Sequence, residues 1–347
     1  MEKAKHITII GGGLAGLTLG IGLRSRGVPV TIREAGTYPR HRVCGEFISG
    51  RGQEALARLG LRDLFLRAGA VMGRTASFFV GKARSPLQPM VPPAWCLSRF
   101  AMDELLARRF RDHGGLLLEH SRWSQACPPE GFVVATGRRI QRLKTANRWF
   151  GLKAHARQVQ LEADLEMHGL NDGYIGLCRL PEDKVNVCGL FRQQDNPHAA
   201  IGPWERLLRG PPGTPLRSRL ENAVFERESF CSVAGFGLMP RRAAEQGDLS
   251  IGDALTMIPP VTGNGMSMAF EAAARTVGPL TDYSKGRLSW VEARNKVTRA
   301  CDMAFARRLA WARWLQWFMF AGVAKTQLGA VALHSRALWR LMFAMTR

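Results

Sequence analysis

Three glycines and one acid near the start of the chain have the types and spacing to hold a dinucleotide. Gly11-x-Gly13-x-x-Gly16 directly follows a short apolar run, His6-Ile7-Thr8-Ile9-Ile10. The first glycine permits a tight turn. The second lets backbone approach a pyrophosphate, and the third lets a helix pack closely on its strand. The helix N-terminus then offers free N–H groups and the positive end of its dipole to phosphate oxygens. Glu34 closes the next apolar run and is placed to accept hydrogen bonds from an adenosine ribose. An acid there, rather than an arginine, favours an unphosphorylated ribose, hence FAD or NAD over NADP.

Such a site needs a β-α-β unit to position it. Residues 6–10 form the first expected strand, Leu14 to Arg26 the helix, and Val28 to Glu34 the second strand, with Gly27 as the helix C-cap. Further helices are expected over 52–68 and from Ser98, as N-cap, to Asp112. Leu116–Leu118 and Phe132–Ala135 have the character of core strands, and 74–97 that of short strands and loops. Between about 149 and 235 the pattern alternates, with turn signals at Asn171-Asp172-Gly173 and Pro181-Glu182-Asp183. An antiparallel sheet inserted in an α/β framework is the expectation. Leu249-Ser250-Ile251 returns as a core strand, a helix follows from Gly265 to Thr276, and the remaining tail is helical.

A second element extends the nucleotide site. Gly252-Asp253-Ala254 precedes Pro259-Pro260-Val261-Thr262-Gly263-Asn264-Gly265-Met266, which opens a helix. Taken alone, this is an Asx-type turn and a capped helix. Over roughly residues 5–285 the chain resembles the FAD-binding superfamily of p-hydroxybenzoate hydroxylase and geranylgeranyl reductase. The resemblance implies FAD as cofactor, with Asp253 on its ribityl chain. Amides of Gly263, Asn264, Gly265 and Met266 would face the flavin pyrimidine ring and stabilise negative charge there. Ala15 and Arg42 would join Gly11, Gly13, Gly16 and Glu34 as cofactor contacts. Leu97-Ser98-Arg99, with Asp103 and Leu106, resembles the family helix whose arginine meets the cofactor. Val134-Ala135-Thr136-Gly137 stands where relatives carry Ala-Asp-Gly. Thr136 in place of the Asp leaves FAD binding expected and makes a hydroxylase-style NADPH contact doubtful.

The implied fold class is α/β: a Rossmann-like FAD-binding domain with an inserted antiparallel β-sheet substrate domain and a helical C-terminal tail. The FAD domain spans 1–148 and 236–285 and is drawn to include part of the substrate-side sheet near 74–97. The sheet domain spans 149–235 and the helical region 286–347.

Arg42-Val43-Cys44-Gly45-Glu46-Phe47 is similar to the loop of geranylgeranyl reductase-like proteins in which a cysteine lies near the isoalloxazine. The resemblance makes Cys44 a proton donor or a tuner of the flavin. An ordinary thiol pKa of ~8.5 suits donation at neutral pH. Glu46 would hydrogen-bond flavin or substrate. The plain alternatives are a small buried residue in a tight loop and a surface acid. His155, Tyr174, Cys178 and Cys188 lie on the expected sheet as substrate contacts or as packing. The chain has no halogenase-type Trp-x-Trp-x-Ile-Pro segment, which counts against halogenation.

Composition bounds the remainder. With 347 residues, 46% hydrophobic and 22% charged, the chain supports a sizeable core, which excludes wholesale disorder and a small disulfide scaffold. Seven cysteines without a CxxC pair suggest neither zinc nor a disulfide framework, so the expectation is no metal and a reducing, cytoplasmic setting. No signal-peptide core precedes the first strand. The formal charge of +21 comes from scattered Arg and Lys. It fits an anionic partner or mere compositional bias. No nucleic-acid-binding signature accompanies it, and no nucleic acid is expected. Within 303–347, basic and Trp-rich apolar residues interleave. Two readings stay open there: a basic amphipathic helix peripheral on the inner face of a membrane, or helices packed on the domain. The expected partner is a hydrophobic small molecule. Without a second dinucleotide fingerprint, NAD(P)H visits transiently or a separate donor delivers electrons. The favoured reaction is C=C reduction by hydride from reduced flavin. The alternatives are flavin-dependent monooxygenation and a non-catalytic basic membrane- or nucleic-acid-binding protein.

Overall fold

The computed structural model describes residues 4–81, 83–125, 127–138, 149–192, 203–236, 241–320, 334, 335 and 345. Alternating Ile and Thr build β1 (Ile7–Ile10), which leads into α1 (Leu14–Arg24) and β2 (Val30–Arg33). Then come β3 (Phe47–Ile48), α2 (Arg51–Arg58), α3 (Arg62–Arg67), β4 (Val71–Val80), β5 (Ala83–Arg84) and β6 (Gln88–Cys96). They are followed by α4 (Arg99–Asp112), β7 (Leu116–Leu118) and β8 (Phe132–Val134). Four longer strands come next: β9 (Trp149–Arg157), β10 (Leu165–Leu170), β11 (Gly173–Arg179) and β12 (Val185–Arg192). The chain continues through α5 (Trp204–Arg209), α6 (Pro215–Arg219), β13 (Val224–Phe236), α7 (Gly265–Ser284) and α8 (Trp290–Phe320).

A parallel sheet in the order β7-β2-β1-β8 forms the nucleotide domain. α1 is buried along its whole length from Leu14 to Leu23. A helix apolar on every side must be covered on every side, and α1 packs on β2, α4 and α7. The expected helix over 52–68 is two helices, α2 and α3, because Gly60 takes a left-handed conformation (φ 69°) between them. Ser98 caps α4 by accepting the Ala101 N–H at 3.1 Å. The expected strand at 249–251 is a single parallel bridge from Ser250 to Val134, and α7 runs past Thr276 to Ser284.

The second sheet runs β13-β9-β12-β11-β10-β4-β6-β3, with β5 paired to β4. It is mixed rather than antiparallel, because β10 pairs parallel to β4. It draws strands from 47–96 as well as from 149–236. Its two faces follow the period of two. Leu152, Ala154, Ile175, Leu177, Val185 and Val187 join Leu208 of α5 and Leu216 of α6 in an apolar cluster on one face. Lys153, Tyr174, Cys178, Cys188 and Leu190 alternate with these along the same strands and so occupy the other face, toward the nucleotide domain.

α8 packs on the nucleotide domain through Val297, Cys301, Phe305 and Leu309. Arg308 and Glu271 form a buried two-pronged ion pair, at 2.6 and 2.7 Å, that clamps α8 to α7. Among the described residues no helix is long and apolar enough to cross a membrane. Apart from His334, Ser335 and Met345, the expected tail helix beyond Phe320 lies outside the described residues.

Candidate functional site

Gly11 sits at the end of β1 with φ 105°, a conformation side chains rarely adopt, and a Cβ there would run into the Ala135 carbonyl. Gly16 lies against the Gly11 carbonyl inside the turn, off the cavity wall. Gly13, the residue before α1, faces space that a Cβ would not fill, and no side chain caps the α1 N-terminus. Free N–H groups beside empty space at the second glycine are what a pyrophosphate requires. Glu34 Oε2 accepts the Gly12 N–H at 2.7 Å. Its Oε1 accepts the Gly36 N–H at 2.8 Å and Arg40 Nη1 at 2.6 Å. Burial pushes the Glu34 carboxyl up, but the Arg40 bond and charge and the two amides outweigh it and hold the pKa at about 2. Glu34 is therefore an anionic acceptor facing the cavity at neutral pH.

That cavity, about 980 Å³, runs without a break from Gly11 and Glu34 to the inner face of the larger sheet. Its wall includes Ala15, Arg42, Arg99, Asp253, Gly263, Gly265 and Met266. Asn264 lies behind the wall, buried, with its amide donating to the Thr262 carbonyl. Burial pushes the Asp253 carboxyl up, against the opposing charges of Arg138 and Arg99. The glycine turn, the acid at Glu34 and the uncapped helix ends of α1 and α7 fit FAD. Glu34 would take the ribose, Gly13 and the α1 N-terminus the pyrophosphate, Asp253 the ribityl hydroxyls, and the α7 N-terminus the pyrimidine ring. Arg99 lies on the wall, but its guanidinium is fixed by Asp103, with Nε and Nη2 donating at 2.9 and 3.0 Å. Arg40 Nε approaches the same carboxylate at 3.7 Å. Glu34, Arg40, Asp103 and Arg99 thus form one line of alternating charge.

Cys44 stands at the end of that line, on the cavity wall, beside the Arg99 charge. Burial raises its thiol pKa, and the nearby Arg99 charge and Glu46 N–H only partly oppose this. The thiol is therefore protonated at neutral pH. Its carbonyl accepts Asn186 Nδ2 at 2.9 Å, which ties the loop to β12.

Glu46 is fully buried and lies off the cavity wall. Its backbone is left-handed (φ 60°). Its Oε1 accepts the Arg99 N–H at 2.8 Å and sits 3.3 Å from Lys153 Nζ, and its Oε2 pairs with His155 Nε2 at 2.7 Å. Burial would raise the Glu46 pKa, but the His155 bond, the Lys153 charge and the Arg99 amide lower it. Lys153, also fully buried, donates to His41 Nδ1 at 3.1 Å. Burial and the charges of Lys153 and His155 bring His41 down to about 4, so it is a neutral acceptor. The His155 N–H donates to Ser229 Oγ at 2.7 Å. Among the expected substrate contacts, Tyr174 and Cys178 line the cavity, whereas His155 is in this cluster behind it. Arg40, His41, Lys153 and Asn186 were not expected. Only Lys153 had a signal: it lies two residues from His155 along one strand and so shares its face.

On the substrate side the registers align Lys153, Cys188, Gly176, Met167 and Phe78 across five strands. The adjacent row runs Gly151, Leu190, Tyr174, Gly169 and Val80. A Cβ at Gly176 would meet only carbonyl oxygens, at 3.8 and 3.9 Å. The face is therefore a mainly apolar slot, with Leu315 of α8 forming part of its wall and Ser77, Gln88 and Glu166 also lining it.

Residues 4–144 match the FAD binding domain family. The match covers the parallel sheet of the nucleotide domain, less than half of the chain. A stretch of 121 residues is 30% identical to the 1H-pyrrole-2-carbonyl-[peptidyl-carrier protein] brominase of Pseudoalteromonas luteoviolacea. This match spans 32% of the chain and only 28% of that protein. The flavin-dependent brominase Bmp2 shares the fold with a TM-score of 0.76 at 17% identity, over 99% of this chain and 93% of that one. A flavoprotein/dehydrogenase from Cytophaga hutchinsonii does so with a TM-score of 0.76 at 15% identity, over 99% and 92%. At these identities the solved structures are similar in fold alone. The family match and the geometry together support FAD as the cofactor.

Proposed function

We propose that the chain is an FAD-dependent oxidoreductase acting on an extended apolar substrate held in the slot, with C=C reduction as its favoured reaction. The observation that carries this reading is Cys44: a protonated thiol on the wall shared by the cofactor end and the slot. FAD, when bound, supplies hydride transfer at N5 and, once reduced, reactivity with O2. Reduction of a C=C bond adds a hydride to one carbon and a proton to the other. Cys44 Sγ holds that proton, and the Arg99 guanidinium beside it pairs with the thiolate left behind until water returns a proton. Glu46, with Lys153 and His155, fixes the loop backbone on either side of the thiol. Tyr174, Cys178, Met167 and Leu190 bind the substrate through apolar contact and keep water out. The two electrons come from NAD(P)H visiting transiently, or from a separate donor protein.

The brominase relative and the shared brominase fold favour a second reading, oxygen-dependent halogen or hydroxyl transfer. Product analysis separates the two. The reduced protein is incubated with a conjugated, apolar olefin under argon, then in air with and without bromide. Reduction without oxygen, in an amount matching the flavin, supports the first reading. Brominated or hydroxylated product formed only in air supports the second and removes the first.

A further inference from the structure

We infer that the outer face of α8 docks this protein on an anionic lipid surface, beside the wall of its own apolar slot. The helix divides cleanly. Its inner residues, such as Val297, Phe305 and Leu309, are buried in the nucleotide domain, and Leu315 turns into the slot against Tyr174 and Leu190. The opposite stripe is exposed: Met303 at 82%, Trp314 at 44% and Trp317 at 60%, with Arg307 and Arg313 exposed among them. With exposed Ala310 between Arg307 and Arg313, these positions recur at three- and four-residue spacing, so they form one continuous strip along the helix. From Met303 to Arg347 the sequence contains no Asp or Glu, against seven Arg and Lys and four Trp. Met345 Sδ lies 3.5 Å from Arg307 Nη2, which brings Met345 to the same face.

Charge and chemistry together select the occupant. The half of α8 from Met303 onward carries no acid, and on a chain of formal charge +21 its exposed Arg307 and Arg313 attract anionic headgroups. Indole rings settle at the level of those headgroups, with an apolar body and a polar N–H. A strip of Arg and Trp on a helix that does not cross the bilayer is the pattern of interfacial docking. With α8 lying on the lipid, the slot is about one helix diameter, ~10 Å, from the bilayer. An apolar substrate dissolved there reaches the slot with little exposure to water. This delivery role rests on the proposed apolar substrate; the docking does not.

The test is sedimentation of the full-length, flavin-loaded protein with phosphatidylcholine vesicles, with and without phosphatidylglycerol. The expected result is co-sedimentation with the anionic vesicles alone, reversed by salt. Arg307→Gln with Arg313→Gln should weaken partitioning ~25-fold, at about five-fold per cation near the surface. Trp314→Ala with Trp317→Ala should weaken it roughly ten-fold or more through lost apolar burial. Both pairs are exposed, so the visible flavin spectrum should persist and show that the fold is intact. Absence of binding to anionic vesicles overturns the inference, as does binding that neither pair of substitutions changes. A wild-type dimer that Trp314→Ala with Trp317→Ala returns to monomer, without vesicle binding, assigns the face to a second copy and also overturns it. Vesicle binding without olefin reduction leaves the docking standing and removes only the delivery role.

Discussion

The proton-donor role proposed for Cys44 rests on two opposing influences. Burial keeps the thiol protonated, and Arg99, held by Asp103, stands ready to pair with the thiolate. Cys44→Ala should therefore bind FAD normally and lose about 10²–10⁴-fold in C=C reduction, the usual contribution of a general acid. Unchanged turnover would remove Cys44 from the chemistry. Glu46 acts differently, as the carboxylate that compensates the fully buried Lys153. Glu46→Gln should destabilise the fold by about 3–5 kcal/mol, because it leaves the ammonium buried and unpaired. Adding Lys153→Met should recover most of that loss in denaturant unfolding. Equal destabilisation by the single and double variants would contradict this pairing. The Cys-Gly-Glu loop was legible in the sequence, but the partners of Glu46 were not. They come from β9 and the start of α4, and only tertiary packing brings them to one carboxylate.

The elements divide the work between turn and sheet. The turn after β1 was legible because its glycines have a geometric reason at each position, and Ser98 announced α4 by its capping chemistry. The strand alternation in 149–235 was legible for the same kind of reason. The parallel junction of β10 with β4 was not, because partner choice between distant strands leaves no local period. That junction brings Phe78 and Val80 into the slot and makes the cavity continuous. Two substitutions test this division. Gly11→Ala should abolish FAD binding, since the side chain would enter the Ala135 carbonyl. Gly176→Leu should leave the flavin spectrum intact and raise KM for a bulky apolar substrate by about ten-fold or more, by filling the slot. Loss of flavin from the second variant would place the slot at the cofactor instead.

For the whole molecule, two strongly depressed pKa values contribute to the acid response, alongside the lowered His168, Glu46 and Glu166. His41 falls from 6.5 to about 4 and Glu34 from 4.5 to about 2. Each group binds its proton less readily folded than unfolded, so each adds stability above its unfolded pKa that is lost as pH falls through its folded value. Stability should decline from pH 6.5 toward 4 through His41, and further from 4.5 toward 2 through Glu34. His41→Phe should make the first part of the decline shallower in unfolding experiments, with His168 contributing to the remainder, and leave the second. Sequence composition could announce the +21 charge, but not that Arg308 of the same tail is a buried clamp while Arg307 beside it is exposed. Packing alone makes that distinction. One cavity joins the proposed FAD site to the slot, with the Cys44 thiol proposed as the proton donor between them. The most direct test of this role is the reoxidation of the chemically reduced protein, under argon, by a conjugated apolar olefin, followed through the visible flavin band. The olefin should restore the oxidised spectrum without oxygen, and Cys44→Ala should slow this strongly. A flavin that stays reduced under argon with every such olefin, and reoxidises only in air, would contradict this role.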